Sequence, residues 1–483
     1  MFKSGLIGYL PATLLQGIIG FLSLMLYTRL LSAQDYGRYA LAFGLCSLIH
    51  TLSFTWLESA MARFYPAEKG TNPHAPALFG TLSRLFILSL ILMTVLGGLG
   101  LYLWHTDPLL KQAVALGLFS SIFKSLIRLV QEQRRSEGLV AQASSLDMIQ
   151  TLGGFLFALL FIHLGMGAAS PLVGVAAMAV LSLPFFAKLD LTRAIKGHFS
   201  REHALSYAKY GFPISASLIL TLSLATADRF LIAHYMSEGD AGAYHAGFSL
   251  AARILDVLFI WLGASGSPAM INALEARGIE GLKLEAGHQI KTMALILFPA
   301  VAGLIIVSPD LGGLLIGDAL RARSICVTPM ITLSGLLAGL NSYYFLQSFT
   351  LSKKTPLLIL AMAIPAFSNI ALNIWLIPIY GLNGAALACV LSYGLGIMGS
   401  WALGKKAIAL PLPLIEISKV ALCALAMMGV VQLIPNCGPW LNLILKPLVG
   451  VLVYAGLVWL LHIEGVRDMG TKLYHRFWIR QKA

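Results

Sequence analysis

The sequence predicts an all-α integral membrane protein with about fourteen transmembrane helices. Hydrophobic residues make up 58% of the 483 residues and charged residues only 11%, whereas soluble domains carry about 25% charged residues. The apolar residues form stretches of about 20, the helix length that crosses a hydrocarbon core of about 30 Å. Lys and Arg concentrate in alternate connections between these stretches. The chain has no room for a soluble catalytic domain, so we expect it to act within or across a bilayer.

Fourteen apolar stretches are the predicted spans. The first is too long for the core of a signal peptide, so it is predicted to be a permanent helix. The eighth and tenth are longer than one crossing needs, which indicates tilt or an extension beyond the membrane. In order, the predicted spans are residues 5–30, 39–62, 78–104, 110–131, 140–163, 169–188, 207–235, 245–272, 288–307, 325–350, 356–378, 382–403, 415–434 and 440–462.

The distribution of basic residues predicts the orientation of the chain. The formal net charge is +13, and the connection at residues 188–209 alone holds five cations. The opposite set of connections holds few, chiefly Arg38, Lys111, Arg321 and Arg323. The positive-inside rule therefore predicts that both termini are cytoplasmic. Topology and contact with lipid headgroups account for the basic excess, so nucleic-acid binding is not expected.

A short segment recurs in the two halves of the chain. Residues 32–43 align without a gap with residues 237–248. Six predicted spans separate the copies, so both have the same orientation, which favours parallel repeats related by an axis along the membrane normal. The alternative is a chance match between tight turns, which commonly use Ser, Asp and Gly. The matching pairs are Ser32 and Ser237, Asp35 and Asp240, Gly37 and Gly242, Tyr39 and Tyr244, and Phe43 and Phe248.

A second, weaker match supports a repeat of six spans. Residues 164–169 resemble residues 380–386 when one gap is allowed, and they follow the fifth and eleventh spans. The final two spans have no counterpart in the repeat. The predicted organisation is an N-terminal lobe at 1–190, a polar cytoplasmic connector at 191–204, a C-terminal lobe at 205–405, and spans 13 and 14 with a basic cytoplasmic tail at 406–483.

Several short motifs resemble the polysaccharide flippases, the O-antigen and exopolysaccharide exporters of the multidrug/oligosaccharidyl-lipid/polysaccharide (MOP) superfamily. The resemblance covers nearly the whole chain in span count and order. The motifs are Arg29 to Tyr39 after the first span, Tyr210-Gly211-Phe212-Pro213 opening the seventh, Asp228-Arg229 near its end, Gly242-Ala243-Tyr244 entering the eighth, and Pro378 to Ala386 opening the twelfth.

This resemblance implies two six-helix bundles around a central cavity and an alternating-access cycle. It implies a transporter rather than an enzyme, which moves a polyprenyl-diphosphate-linked oligosaccharide to the outer leaflet of the bacterial inner membrane for lipopolysaccharide or exopolysaccharide biosynthesis. No cofactor or metal is expected, apart from coupling to H⁺ or Na⁺. The expected partners are the lipid-linked cargo, membrane lipids, and the polysaccharide polymerase and assembly machinery.

Charged side chains within spans are the candidates for a transport site, because each costs about 2.5 to 3.5 kcal/mol to insert. Arg253 is the leading candidate, since a guanidinium binds phosphate oxygens in a bidentate fork. It could instead form a neutral pair with Asp256, three positions along the same helix. For Arg29 and Arg229 the alternative is that they reach to the membrane interface. The predicted cationic site is Arg253, Arg29, Arg229, Arg128 and Lys124.

Acidic and sugar-compatible side chains complete the predicted site. Carboxylates inside spans could bind H⁺ or Na⁺, or they could be hydrogen-bonded structural groups. Tyrosines on the tenth span could contact sugar or belong to an interfacial aromatic belt. The predicted ion-coupling residues are Asp147, Glu58, Asp256 and Asp228, and the predicted sugar contacts are Asn341, Tyr343, Tyr344 and Gln347.

Four other functions would each need particular sequence features. A multidrug exporter for cationic drugs would favour an acidic cavity, whereas the charge within the spans here is mainly basic. A membrane glycosyl polymerase or ligase would usually need a large outer loop, and the predicted outer loops are all short. A lipid II flippase stays an alternative, because a few cavity side chains distinguish the cargo. The sequence lacks a phosphate-binding glycine-rich loop followed by Lys-Ser or Lys-Thr, which excludes an ATP-driven motor on this chain.

Overall fold

The computed structural model describes residues 2–71, 75–461 and 463, and its regular secondary structure in those ranges is entirely helical. The predicted all-α class is therefore confirmed. The α-helices are α1 (Phe2–Leu30), α2 (Ala33–His50), α3 (Trp56–Thr71), α4 (Pro76–Leu103), α5 (Pro108–Ser136), α6 (Val140–His163), α7 (Ser170–Phe186), α8 (Lys188–Lys196), α9 (Arg201–Tyr235), α10 (Glu238–Leu315), α11 (Asp318–Leu340), α12 (Gln347–Leu351), α13 (Thr355–Gly404), α14 (Leu414–Gln432) and α15 (Pro439–Leu460).

Twelve helical stretches among the described residues are long and apolar enough to cross a membrane. Two of them contain 78 and 49 residues, far more than the about 20 that one crossing needs. Each of these breaks at a glycine with positive φ, Gly278 (φ 67°) in α10 and Gly381 (φ 58°) in α13. A glycine adopts this backbone conformation without the steric cost of a Cβ atom. Counting the segments on either side of each break separately makes fourteen, as predicted.

Two spans contain a π-helical turn instead of a continuous α-helix. Thr51–Thr55 joins α2 to α3, and Asn341–Phe345 joins α11 to α12. The sequence predicted single spans at 39–62 and 325–350, and the structure has one long helical stretch in each place. Short π-helical turns inside α-helices occur frequently at functional sites.

The chain divides into two compact units, Met1–Ala246 and Gly247–Ala483. The first unit contains α1 to α9 and the start of α10, so the seventh predicted span packs with the first six. One of its cores joins the turn at Thr51–Thr55 with α3, α4 and α9, and it includes Phe54, Tyr65, Phe79 and Tyr207, each at most 4% exposed. The predicted lobes at 1–190 and 205–405 stay a prediction.

The second unit has a separate core made by α10, α11 and the turn after α11. Leu255, Phe259, Met293 and Leu297 are buried there. The predicted thirteenth and fourteenth spans, α14 and α15, pack on the second half of α10, where the Tyr454 hydroxyl donates to the Leu295 carbonyl at 2.9 Å. The basic cations predicted in the tail, from residue 467 onward, lie outside the described residues.

Large apolar side chains cover the outer faces of many helices. On α4, Ile87, Leu88, Ile91 and Leu96 are all more than half exposed. Such a surface would be unfavourable in water, and hydrocarbon chains of lipid solvate it instead. The protein is therefore a multi-pass membrane protein. One helix was not predicted, namely α8 inside the polar connector.

Candidate functional site

The two copies of the repeated segment have the same local structure. The Ser32 hydroxyl accepts a hydrogen bond from the Asp35 backbone N–H at 3.0 Å and donates to its carboxylate at 2.8 Å. The Ser237 hydroxyl accepts from the Asp240 N–H at 3.1 Å and donates to that carboxylate at 2.6 Å. Each serine thus caps a helix, α2 or α10, and satisfies a backbone donor that the helix leaves free. This shared geometry favours a true repeat over a chance match.

The N-terminal turns of α2 and α10 contact each other through glycines. A Cβ atom on Gly37 would overlap the backbone carbonyl of Glu238. A Cβ atom on Gly242, the equivalent position in the second copy, would lie only 2.9 Å from the Gly37 nitrogen. The two backbones can approach this closely only because neither position has a side chain.

Arg38 connects this contact to a third helix. Its Nε lies 2.7 Å from Oε2 of Glu238 and 3.0 Å from Oδ2 of Asp107, the N-cap residue of α5. Its Nη1 lies 3.2 Å from Oδ1 of Asp35. Three carboxylates therefore surround one guanidinium. From the sequence, Arg38 was only a cation in a sparsely charged connection. Its ion pairs could not be predicted, because Asp107 and Glu238 are far away along the chain.

Asp228 and Arg229 are buried near the end of α9, with exposed fractions of 1% and 5%. The Tyr244 hydroxyl donates to Oδ2 of Asp228 at 3.0 Å, and Arg229 interacts electrostatically with both residues. Burial of Arg229 excludes the alternative that it reaches an aqueous interface. Arg29, by contrast, is exposed at the end of α1, so the alternative stays open for that residue.

A second charged cluster in the first unit flanks the π-helical turn Thr51–Thr55. Across this turn, Nε2 of His50 lies 3.2 Å from Oε1 of Glu58. On the other side of the imidazole, Nδ1 lies 3.2 Å from the Ser125 hydroxyl of α5. Glu58 was predicted from the sequence and His50 was not, although an ionisable residue within a predicted span is itself a signal.

The predicted cations Lys124 and Arg128 belong to the same cluster. Lys124 interacts electrostatically with both Glu58 and Arg128. Glu132, one turn further along α5, interacts with Glu58 and Arg128. The structure therefore brings together three residues that were predicted separately, one as an ion-coupling group and two as phosphate-binding groups.

Contacts on both sides of His50 hold its ring between α3 and α5. The Ser125 hydroxyl donates its hydrogen to the Ser121 carbonyl at 2.5 Å, which leaves its oxygen able to accept from Nδ1 of His50. A hydrogen bond between Nε2 of His50 and Oε1 of Glu58 then needs a proton on one of these two atoms. Oε1 of Glu58 is buried without a well-aligned hydrogen bond.

Asp147 has the surroundings of a structural carboxylate. It is 7% exposed. The side-chain amide of Gln131 donates to its Oδ1 at 2.9 Å, and Nη2 of Arg135 lies 3.0 Å from its Oδ2. Both oxygens are therefore engaged by the protein. This arrangement favours the alternative reading of Asp147 over a role in ion coupling.

The second unit carries a polar group of side chains around Arg253 of α10. Arg253 is half-buried, and its Nε atom is buried without a hydrogen-bond partner in the described part of the chain. Asp256 is exposed and interacts electrostatically with Arg253 and with Tyr343. Tyr343 stacks on Phe259, with ring centroids 5.5 Å apart. A half-buried guanidinium with an unsatisfied N–H group has the chemistry to bind an anion.

Polar amides extend this group along the second π-helical turn. The Gln347 amide donates to the Ser267 hydroxyl at 3.2 Å, and the Gln289 amide donates to the Tyr343 carbonyl at 3.4 Å. Asn341 is 4% exposed, and its side-chain oxygen is buried. Of the predicted sugar contacts, Tyr343 interacts electrostatically with Asp256, and Gln347 bonds to Ser267 of α10. Their role in binding sugar stays a prediction.

Tyr344 requires a correction. The sequence predicts that it contacts sugar, but the side chain is fully buried and its hydroxyl donates to the Pro411 carbonyl. Neighbouring residues on a helix point in different directions, so Tyr343 and Tyr344 cannot both face the same surface. Tyr344 therefore packs the core of the second unit and is not placed to bind cargo.

Comparison with known proteins identifies the family. The sequence profile described as "polysaccharide biosynthesis protein" matches residues 26–322, more than half of the chain. The chain belongs to this family. No curated protein matches the chain significantly. The family match includes the repeated segments, the His50 and Glu58 cluster, and Arg253, but it ends before the second π-helical turn.

Solved structures show the fold of this polysaccharide biosynthesis protein. The lipid II flippase MurJ, in an inward closed conformation, is similar with a TM-score of 0.76 and 19% identity, covering 96% of this chain and 99% of that one. A multidrug resistance MATE family transporter of the MOP superfamily is similar in its inward-facing conformation, with a TM-score of 0.60 and 16% identity. The match covers 85% of this chain and 95% of that one. In an outward-facing conformation of such a transporter, the TM-score is 0.54 and the identity 17%, and the match covers 86% of this chain and 94% of that one. The predicted MOP-type fold is confirmed.

Proposed function

We propose that this protein is a flippase that moves a polyprenyl-diphosphate-linked oligosaccharide across the bacterial inner membrane for surface polysaccharide biosynthesis. One observation carries the proposal: a member of the polysaccharide biosynthesis protein family has the fold of a lipid flippase over nearly its whole length. Alternating access moves the cargo without a covalent step, so the protein is a transporter and not an enzyme. Both termini lie in the cytoplasm in this proposal, as the positive-inside rule indicates.

The chemistry around Arg253 supports an anionic cargo. Its guanidinium matches a diphosphate, and the neighbouring tyrosine and glutamine side chains match sugar hydroxyls. A multidrug exporter for cationic drugs would instead need an unpaired acidic surface. A lipid II flippase shares the diphosphate and is the second candidate, because the lipid II flippase MurJ has the same fold. The family description favours a surface polysaccharide as cargo.

Complementation tests this function and separates the two cargoes. The gene is introduced into one strain that lacks its O-antigen flippase and another in which the lipid II flippase is depleted. We expect restored surface polysaccharide in the first strain and no rescue of growth in the second. Rescue of growth alone would transfer the assignment to lipid II. Drug resistance without restoration of either glycan would transfer it to a multidrug exporter.

We further propose that His50 and Glu58 bind the proton that drives the cycle. Nε2 of His50 and Oε1 of Glu58 are 3.2 Å apart, close enough to share one proton. Among the described residues, Lys124 and Glu132 on α5 interact electrostatically with Glu58, and Arg128 interacts with both of them. Cys46 on α2 interacts with Lys124. Loss of the proton would turn the contact repulsive, and the π-helical turn between the two residues is the element that would respond.

Replacing both His50 and Glu58 with glutamine is expected to uncouple transport from a proton gradient. Glutamine can still form hydrogen bonds at each position, but it cannot exchange a proton, so neither partner can carry it. In proteoliposomes with a fluorescent polyprenyl-diphosphate glycan, an imposed proton gradient should accelerate wild-type flipping and leave flipping by His50→Gln/Glu58→Gln unchanged. The control is Glu275→Gln, an exposed carboxyl in the second unit. If the gradient does not accelerate wild-type flipping, the coupling proposal is wrong while the flippase function stands.

A further inference from the structure

The connector helix α8 is attached firmly to the first unit. A Cβ atom on Gly197, just after α8, would lie 2.5 Å from the backbone nitrogen of Gly80 in α4. Three residues later, the Ser200 N–H donates to the Thr81 hydroxyl at 3.0 Å. The chain on the other side of α8 is the end of α7, a membrane span. Because α8 lies between two spans and contacts the start of a third, it lies near the membrane surface.

The polar face of α8 points into the protein. Asp190 is 9% exposed and lies 3.5 Å from Arg134 of α5 and 3.7 Å from Arg193 of α8 itself. The Arg193 guanidinium also lies 5.4 Å from the centre of the Phe79 ring. Burial raises the pKa of the Asp190 carboxyl, whereas Arg134 opposes this shift. These contacts fix the rotation of α8 about its axis.

The opposite face of α8 is apolar and exposed. Ile195 is 84% exposed and Leu191 is 48% exposed, and Phe185 and Phe199 on either side are 83% and 48% exposed. Water would not solvate this surface favourably. The boundary between headgroups and acyl chains accommodates such a face when cations flank it. Lys188 and Lys196 are both exposed on the same short helix.

A cleft of about 450 Å³ adjoins the apolar face, between α8 and helices α3, α4 and α5. Leu191, Ala194 and Ile195 of α8 line one side, and Phe86 and Ile87 of α4 line the other. Arg84, which is exposed, lies among the lining residues. Most other lining residues are apolar, but Gln133 and the Asp190 carboxyl, which is paired with Arg134 and Arg193, also line the cleft. A mainly apolar cleft with exposed cations beside it matches an acyl chain attached to an anionic headgroup.

We propose that α8 and this cleft bind an anionic phospholipid of the bilayer surface. One acyl chain occupies the cleft, and the exposed cations Arg84, Lys188 and Lys196 attract the phosphate of the headgroup. The site lies within the first unit, does not involve Arg253, and is independent of which cargo the protein carries. Anionic lipid in the cytoplasmic leaflet would thereby hold α8, and with it the connector at 191–204, against the first unit.

Native mass spectrometry of the purified full-length protein with phosphatidylglycerol or phosphatidylcholine tests this site. We expect the wild-type protein to bind a first phosphatidylglycerol molecule more tightly than any further phosphatidylglycerol molecules. This first molecule should also bind at least tenfold more tightly than phosphatidylcholine. The double substitution Lys188→Gln/Lys196→Gln should reduce that affinity by about tenfold or more, at about fivefold per cation. The matched control is Arg277→Gln/Lys283→Gln, which removes two exposed cations from α10 and should leave the tight site intact.

A second variant tests the cleft without changing charge. Ala194→Trp should block it and remove the tightly bound phosphatidylglycerol while the elution volume and melting temperature in detergent stay those of wild type. Equal loss of binding in the α8 and α10 double variants would mean general attraction to anionic lipid and overturn the proposal. Wild type that binds the two lipids equally, or a filled cleft that binds phosphatidylglycerol as before, would overturn it as well.

Discussion

Replacing Gly37 with alanine is expected to destabilise the protein by about 3 kcal/mol or more, because overpacking of a closely packed contact forces the backbone to move. The added Cβ atom would overlap the Glu238 carbonyl. Since both sides of the contact are backbone, no side chain can rotate away. The separation of α2 from α10 would also break the ion pair between Arg38 and Glu238, which joins the same two helices. The measurement is the melting temperature of the purified protein in detergent.

Gly98→Ala is the matched control for this substitution. Gly98 also lies within an α-helix, α4, but a Cβ atom there would meet no atom within 4 Å. Alanine is favoured over glycine inside helices by up to about 1 kcal/mol, so this control should be neutral or slightly stabilising. The same chemical change should thus have opposite effects at the two positions. Equal melting temperatures for both variants would show that the α2 and α10 contact does not contribute to stability.

Replacing Arg253 with alanine is expected to abolish restoration of surface polysaccharide in a flippase-deficient strain. Loss of a charged hydrogen-bond partner costs about 2 to 5 kcal/mol, which would reduce cargo binding by well over tenfold. Arg253→Lys should retain partial activity, since it keeps the charge but loses the bidentate fork. The control is Arg277→Ala, an exposed arginine of the same helix. Immunoblots of membranes confirm that each variant is present at the wild-type level.

A double substitution distinguishes cargo binding from a structural pair of Arg253 with Asp256. If the arginine only neutralises Asp256, removal of both charges in Arg253→Ala/Asp256→Ala should recover activity. If Arg253 binds the cargo phosphate, the double variant should stay inactive. Full activity of the single Arg253→Ala variant would remove this residue from the site altogether.

Much of the fold could be predicted because the membrane imposes a length on each apolar stretch. The fourteen segments follow from hydropathy alone, and the eighth and ninth spans were separated correctly even though α10 continues through both. The repeat was also recognisable in the sequence, since Ser32 and Asp35 and their later copies form the same helix cap. A cap of this kind depends on residues within a few positions of each other, whereas the contact of Gly37 with Glu238 joins distant parts of the chain.

The candidate site was less accessible to sequence reasoning. Glu58, Lys124 and Arg128 were selected separately, and nothing in their spacing indicated that they share a cluster with His50. Asp147 resembled an ion-coupling group until its contacts with Gln131 and Arg135 were known. Tyr343 and Tyr344 are adjacent and chemically identical, yet only one lies beside the polar group around Arg253.

The sequence by itself determined the class of the protein, the number of its membrane segments and the repeat that relates its halves. Only the tertiary structure decided that Arg38 joins three helices, that His50 lies beside Glu58, and that α8 turns its apolar face outward. The physical reason is the range of the forces involved. Insertion into a membrane sums the hydrophobicity of consecutive residues, whereas an ion pair or a shared proton depends on atoms that folding brings within about 3 Å from distant parts of the chain.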